Sequence, residues 1–319
     1  MRFASYSRGG GPAQAGLVSD AGIHPLPPNE GVLDLVRAGL PAALAAGQRA
    51  LGEPAVPLDA VRLLPPLTPP TVRDFVAFEE HVEGIAGEVV PEWYQAPTFY
   101  FTNPYALIGA HDDVRVPPGC EMLDFELEVA VVVGRDGASL SAEQARDHIF
   151  GYTVLNDWSA RDLQRREMKV MLGPARGKDF ASTLGPWLVT ADELEPYRDS
   201  DGFLALDLRA SVNGELIGQD LLSNMGWPFE ELIAYASRGT EVRAGRHRRA
   251  DRRRDRDGAQ PRGAGAYAAT GTRSTRPFGT SGEKARITSG CGTLDSATSP
   301  SRCPRRSTRK ERHPCLTSE

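Results

Sequence analysis

Residues 125–133 read Phe125-Glu126-Leu127-Glu128-Val129-Ala130-Val131-Val132-Val133 and stop at Gly134. This is the strongest strand signal in the chain: an apolar run rich in valine, of strand length, bounded by a glycine. Side chains alternate across a strand. Glu126 and Glu128 therefore share one face with Ala130 and Val132, while Phe125, Leu127 and Val129 share the other. A face that begins with two carboxylates and continues apolar is not a simple solvent face. Two like charges beside apolar neighbours are costly unless a cation or protons compensate them. The bland alternative is an exposed face with a solvated glutamate pair, and the pattern alone leaves both open.

Working outward from this strand, further strand signals fall at residues 1–6, 15–19, 61–64, 99–101, 114–116, 151–155, 187–189 and 204–212. The last leads into Asn213-Gly214, the best hairpin turn in the sequence. Helical spacing is found at 32–51, with Pro41 breaking or kinking it, and helices are also expected at 141–148 behind Ser141 as N-cap and at 229–236, while 161–168 reads as a short polar helix or turn. Strands outnumber helices, which predicts an α+β, mainly β, curled architecture. Pro65-Pro66 and Pro69-Pro70 form a stiff connector. They suggest a small β-rich N-terminal domain over 1–68 and a main domain over 71–245.

The 319 residues carry a formal charge of −5, but unevenly. Residues 246–319 hold 16 Arg and 2 Lys against 4 Asp and 3 Glu, a surplus of +11, so the rest carries −16. Large apolar side chains in that tail are limited to Tyr267, Phe278, Ile287, Leu294 and Leu316. Such a segment buries too little to offset its ordering entropy, so disorder is expected. A nucleic-acid-binding arm is disfavoured, because the arginines lack aromatic partners for stacking. A shifted reading frame accounts better for the composition. Moved by one base, Arg246-His247-Arg248-Arg249-Ala250-Asp251-Arg252 can encode Val-Ile-Gly-Ala-Pro-Thr-Val, an apolar strand-and-turn sequence. Before the tail, Cys120 is the single cysteine, which excludes a disulfide framework or cysteine zinc site there. With no secretory leader and no apolar run of membrane-spanning length, a cytoplasmic protein without membrane partners is expected.

Three more stretches carry candidate chemistry. Asn156-Asp157-Trp158-Ser159-Ala160-Arg161-Asp162 follows a strand, where loops commonly hold site residues. Asp157 there is a possible third oxygen ligand or a helix cap, and an all-oxygen set suits Mg²⁺, Mn²⁺ or Ca²⁺. Asp74 and His81 are seven residues apart, close to two helical turns, and His81 can serve as a general base or be an ordinary surface histidine. The turn-rich Gly173-Pro174-Ala175-Arg176-Gly177-Lys178-Asp179 presents Lys178, suited to an anionic group or simply solvated.

Together, Asp74…His81, Glu126-x-Glu128, Asn156-Asp157-Trp158-Ser159-Ala160-Arg161-Asp162-Leu163-Gln164, Gly177-Lys178-Asp179-Phe180 and Gly185-Pro186-Trp187 strongly resemble the fumarylacetoacetate hydrolase family over residues 1–245. The resemblance implies a β-sandwich-like roll behind a small SH3-like N-terminal domain, usually homodimeric. It implies Asp74, Glu126, Glu128 and Asp157 as metal ligands, His81 as the water-activating base, Lys178 beside metal and substrate, and Gln164 on the substrate. The implied activity is hydrolysis of a carbon–carbon bond in a 1,3-diketo acid with a divalent metal, Mg²⁺ first. Decarboxylation or tautomerisation of a 2-oxo acid on the same site is the rival reaction, and an inactive remnant the rival of another class. Val76 and Met168 stand where fumarylacetoacetases have tyrosines, and Ser182 where a threonine is usual, which argues against fumarylacetoacetate itself. The family's later glycine-rich loop, catalytic glutamate and accompanying core strands are not found after Gly245.

Overall fold

A computed structural model of the chain describes residues 1–244 and the backbone of 266–273. Its strands are β1 Arg2–Ser7, β2 Gln14–Ser19, β3 Gly22–Pro25, β4 Arg62–Leu64, β5 Val72–Phe75, β6 Phe99–Thr102, β7 Leu107–Ile108 and β8 Leu123–Val133. They continue with β9 Gly137–Ala138, β10 Ile149–Ala160, β11 Ser182–Leu184, β12 Leu188–Thr190, β13 Asp207–Val212, β14 Glu215–Leu221, β15 Glu241–Val242 and β16 Ala266–Arg273. The helices are α1 Val32–Ala38, α2 Leu40–Ala50, α3 Glu79–Ala86, α4 Ala142–Arg146, α5 Arg161–Met168, α6 Ala191–Leu194 and α7 Phe229–Ser237. The α+β, mainly β expectation holds.

Twelve strands form one mixed sheet whose main path runs β3-β2-β1-β12-β10-β8-β16-β5-β6. The N-terminal strands join it where β1 pairs antiparallel with β12, and the Met1 amino group donates to Thr190 Oγ1 at 2.5 Å. Strand β8 is central, and alternation decides what each face meets. Val129, Val131 and Val133 enter the largest apolar cluster, with Phe75, Phe78, Trp227, Phe229 and Ile233. Burying each such side chain stabilises the fold by about 1.5–3 kcal/mol. On the other face Val132 packs with Phe3, Phe150 and Leu188, and Ala130 with Leu155 and Leu184. Beyond Ala130 this face passes to Glu128 and Glu126.

Several expectations shift. The 32–51 helix is two helices, broken at Gly39, whose φ of 90° a side chain resists; Pro41 lies inside the first turn of α2. Residues 114–116 form no strand; Pro117-Pro118 follow them directly. Residues 151–155 belong to a longer strand, β10, which continues through Asn156, Asp157 and Trp158. The tail also holds a strand that composition did not foretell: β16 lies antiparallel to β8 and parallel to β5. The tail's average charge hid an uncharged stretch, 263–272, able to complete the backbone pairing of two neighbours at once. The rest of 246–319, with its expected disorder and frame shift, lies outside the described residues.

Candidate metal centre

The site is assembled from cross-strand neighbours. In the β8–β10 ladder Asp157 lies opposite Glu126 and Leu155 opposite Glu128. On the other side of β10, Ser182 of β11 lies opposite Asp157 and donates to its Oδ1 at 3.3 Å. Asp74 comes from β5, beyond β16, and lies opposite Tyr100 of β6. Asp74 and His81 do not share a helix: Asp74 is in a strand, and His81 follows in α3. The intervening Phe75, Ala77 and Phe78 are buried in the main core, which favours a strand and a turn there over a helix face.

Asp74, Glu128 and Asp157 each bring a carboxylate oxygen into one group, these atoms lying within 4.8 Å of one another. All three are at most 1% exposed. Among the described residues, neither oxygen of Glu128 nor Asp74 Oδ1 has a hydrogen-bond partner. Burial pushes the Glu128 carboxyl well above its ordinary value, and the charges of Asp74, Asp157 and Glu126 push the same way. Burial and then Asp157 do the same to Asp74 against the pull of Lys178, and burial raises Asp157 despite Lys178. Buried, unpartnered carboxylate oxygens this close call for protons or a cation, and an all-oxygen group fits a hard divalent ion.

Glu126 has other company. Lys178 Nζ lies 2.6 Å from its Oε2, Arg161 Nη1 lies 2.8 Å from its Oε1, and His81 Nε2 lies 3.9 Å from that same Oε1. Burial would raise this carboxyl, but Lys178, His81 and Arg161 prevail and hold it well below the usual carboxylate range. Lys178 Nζ is also 2.5 Å from Asp157 Oδ2. Burial works against its charge, and Asp157, Glu126 and Asp74 more than restore it. Gly177 allows this placement: a Cβ there would lie 2.6 Å from the Gln164 backbone, so only glycine lets the Lys178 loop rest on α5. A cavity of about 260 Å³ opens beside Lys178, with Tyr100, Thr102, Asn103 and Asp179 in its wall.

The profile of the fumarylacetoacetate (FAA) hydrolase C-terminal domain matches residues 71–246. The chain belongs to the fumarylacetoacetate hydrolase family. It is 33% identical over 166 residues to a fumarylacetoacetase of Dictyostelium discoideum, covering 44% of this chain and 39% of that one. It is 34% identical over 171 residues to an oxaloacetate tautomerase of Bacillus subtilis, covering 53% of each. The chain thus spans between about two fifths and one half of these curated relatives. Among solved structures, a maleylpyruvate hydrolase of Sphingobium with manganese(II) and pyruvate shares the fold, with a TM-score of 0.59 at 22% identity over 87% of this chain and 91% of that one.

In this family member the sequence candidates converge unequally. Asp74, Glu128 and Asp157 form the open carboxylate group; Glu126 sits beside it among cations; His81 and Lys178 both flank Glu126. Gln164 is half-buried on α5 and accepts from Arg161 Nη1 at 3.1 Å. Three contributors were not among the site residues expected from the sequence. Ser182 bonds Asp157. Arg161 is 7% exposed and joins Glu126 to Asp124, donating from Nε to Asp124 Oδ2 at 2.7 Å. Tyr100 donates toward Asp74 Oδ2 at 2.7 Å and Asp157 Oδ2 at 3.0 Å. Burial raises the Tyr100 phenol well above its ordinary value, with Asp157 and Asp74 adding to it, so it remains a donor. For Arg161 the available signal was an arginine next to the carboxylate-bearing stretch. Tyr100 gave none without the β5–β6 register.

Proposed function

We propose that this chain is the catalytic part of a divalent-metal-dependent hydrolase that cleaves a carbon–carbon bond in a 1,3-diketo acid of the acylpyruvate type. One observation carries the reading: Glu128, wholly buried, has no hydrogen-bond partner for either oxygen among the described residues and faces two more buried carboxylates. Asp74, Glu128 and Asp157 would hold the ion, with Glu126 as fourth carboxylate, and their hard oxygens suit Mg²⁺ or Mn²⁺. When bound, a divalent cation supplies a Lewis acid for the substrate's oxo groups.

The remaining steps fall to side chains. His81 takes a proton from water through a ring nitrogen, and its neighbour Glu126, 3.9 Å away, favours the resulting imidazolium. The water oxygen adds to the carbonyl carbon. The Lys178 ammonium, held charged by two carboxylates, faces the oxygen where negative charge develops. The carbon–carbon bond then breaks with its electron pair on the departing carbon, which receives the proton carried by His81. The relatives support this reading, since they include fumarylacetoacetases, and one fold neighbour was solved with manganese(II) and pyruvate. A homodimer is part of the proposal and is checked by light scattering.

A second reading is favoured by the 34% identity to an oxaloacetate tautomerase, which moves a proton without adding water. Incubating the metal-loaded protein with acylpyruvates and with enol-oxaloacetate, followed by NMR, tests both. Cleavage to pyruvate and a carboxylic acid supports the hydrolase. Faster ketonisation without cleavage replaces it with the tautomerase.

A further inference from the structure

Tyr100 touches two members of the carboxylate group and lines the cavity beside it, yet no step above uses it. It stands directly across the β5–β6 ladder from Asp74, so its position is fixed by backbone pairing. Its phenol bridges strands far apart in sequence: Asp74 Oδ2 on β5 at 2.7 Å and Asp157 Oδ2 on β10 at 3.0 Å. The consequence concerns which oxygens remain for an ion. Asp74 Oδ2 is engaged by Tyr100, whereas Asp74 Oδ1 has no partner among the described residues. Asp157 Oδ2 is engaged by Tyr100 and by Lys178 Nζ at 2.5 Å. Asp157 Oδ1 has only the long 3.3 Å bond from Ser182. Without the phenol, Asp74 is free to turn about χ2, a broad torsion, and Asp157 keeps only Lys178 and the long bond from Ser182. Glu128, with no donor among the described residues, would then repel both carboxylates from a common focus.

We propose that Tyr100 is a positioning residue for the metal centre. Its single hydroxyl ties Asp74 to Asp157 and turns one oxygen of each toward Glu128. Groups that orient metal ligands from outside typically govern affinity by about 10–100-fold. The inference rests on the metal-centre reading, and its test separates the two.

The test is calorimetric titration of the full chain with Mn²⁺, wild type against Tyr100→Phe, with thermal melts of both metal-free proteins. The variant is expected to bind Mn²⁺ about 10–100-fold more weakly, with a cooperative melt retained. A third protein carrying 4-aminophenylalanine at position 100 keeps a donor at the same place and should recover affinity to within about threefold of wild type. If Tyr100→Phe melts poorly, this third protein decides alone: recovered affinity supports the role, and affinity as weak as a donorless site overturns it. Equal affinity of wild type and Tyr100→Phe overturns the role of Tyr100 while leaving the metal centre standing. No Mn²⁺ binding by wild type overturns both.

Discussion

Asp157 and Glu126 face each other across the β8–β10 ladder, and one ammonium group, that of Lys178, lies 2.5 Å from the first carboxylate and 2.6 Å from the second. This cation is 3% exposed, so its charge has no access to bulk water as an alternative partner. Removing one partner from a buried ion pair typically destabilises by about 3–5 kcal/mol, because the other charge remains. Lys178→Met is expected to lower the unfolding free energy of the metal-free protein by that amount, and saturating Mg²⁺ should restore part of it. Urea unfolding with and without Mg²⁺ checks this. An unchanged midpoint would show that the lysine does not compensate the carboxylates.

Burial raises Glu128 and Asp74 well above their ordinary values of 4.5 and 3.8. Above those values the folded state binds more protons than the unfolded state, so the contribution of these two groups to stability declines as pH rises. Glu126 has the opposite sign: its lowered carboxyl stabilises above 4.5, and this is lost only as pH falls below it. Metal-free protein should therefore melt at a lower temperature at the higher of two pH values taken above the ordinary carboxylate range, and Mg²⁺ should oppose that loss. Metal affinity should rise over the same range, because the ion displaces protons. Melting curves at both pH values decide the matter; a metal-free melt that rises with pH contradicts it.

His81 faces Glu126 but lies outside the carboxylate group that would hold the ion. His81→Ala should lower kcat by about 10²–10⁴-fold, the usual contribution of a positioned acid or base. Mn²⁺ affinity should fall far less than turnover, since Asp74, Glu128 and Asp157 all remain to hold the ion. Coupled kinetics and titration calorimetry on the same preparation test this, and retained turnover removes His81 from the mechanism.

Much of this site was legible because alternation is a rigid property of strands. Glu126 and Glu128 lie on one face whichever strands flank them; their neighbours Ala130 and Val132 marked it as more than a solvent face, but the pattern alone left a solvated pair open. Asp157 was harder. Three polar or bulky residues, Asn156 to Trp158, read as the end of a strand, yet β10 continues through them because β8 and β11 pair with it on both sides. Spacing misled for Asp74 and His81. Seven residues fit two helical turns, but the buried Phe75 and Phe78 between them draw the chain into the core. Tyr100 was invisible for a different reason: Phe99-Tyr100-Phe101 reads as an ordinary aromatic strand, and its meaning comes from the residue opposite. β16 was missed because composition averaged over a long tail conceals a short uncharged stretch.

If Glu128 is buried to face a cation, its loss must abolish binding, and direct titration measures that. The experiment is Mn²⁺ calorimetry on the full chain, wild type against Glu128→Gln, with each metal-free protein melted at about pH 8. Wild type should bind about one ion per chain, and Glu128→Gln should bind none measurably while its metal-free form gains about 1 kcal/mol or more, since a neutral amide relieves the crowded charge. Equal Mn²⁺ binding by the two proteins, or none by wild type, would contradict the account.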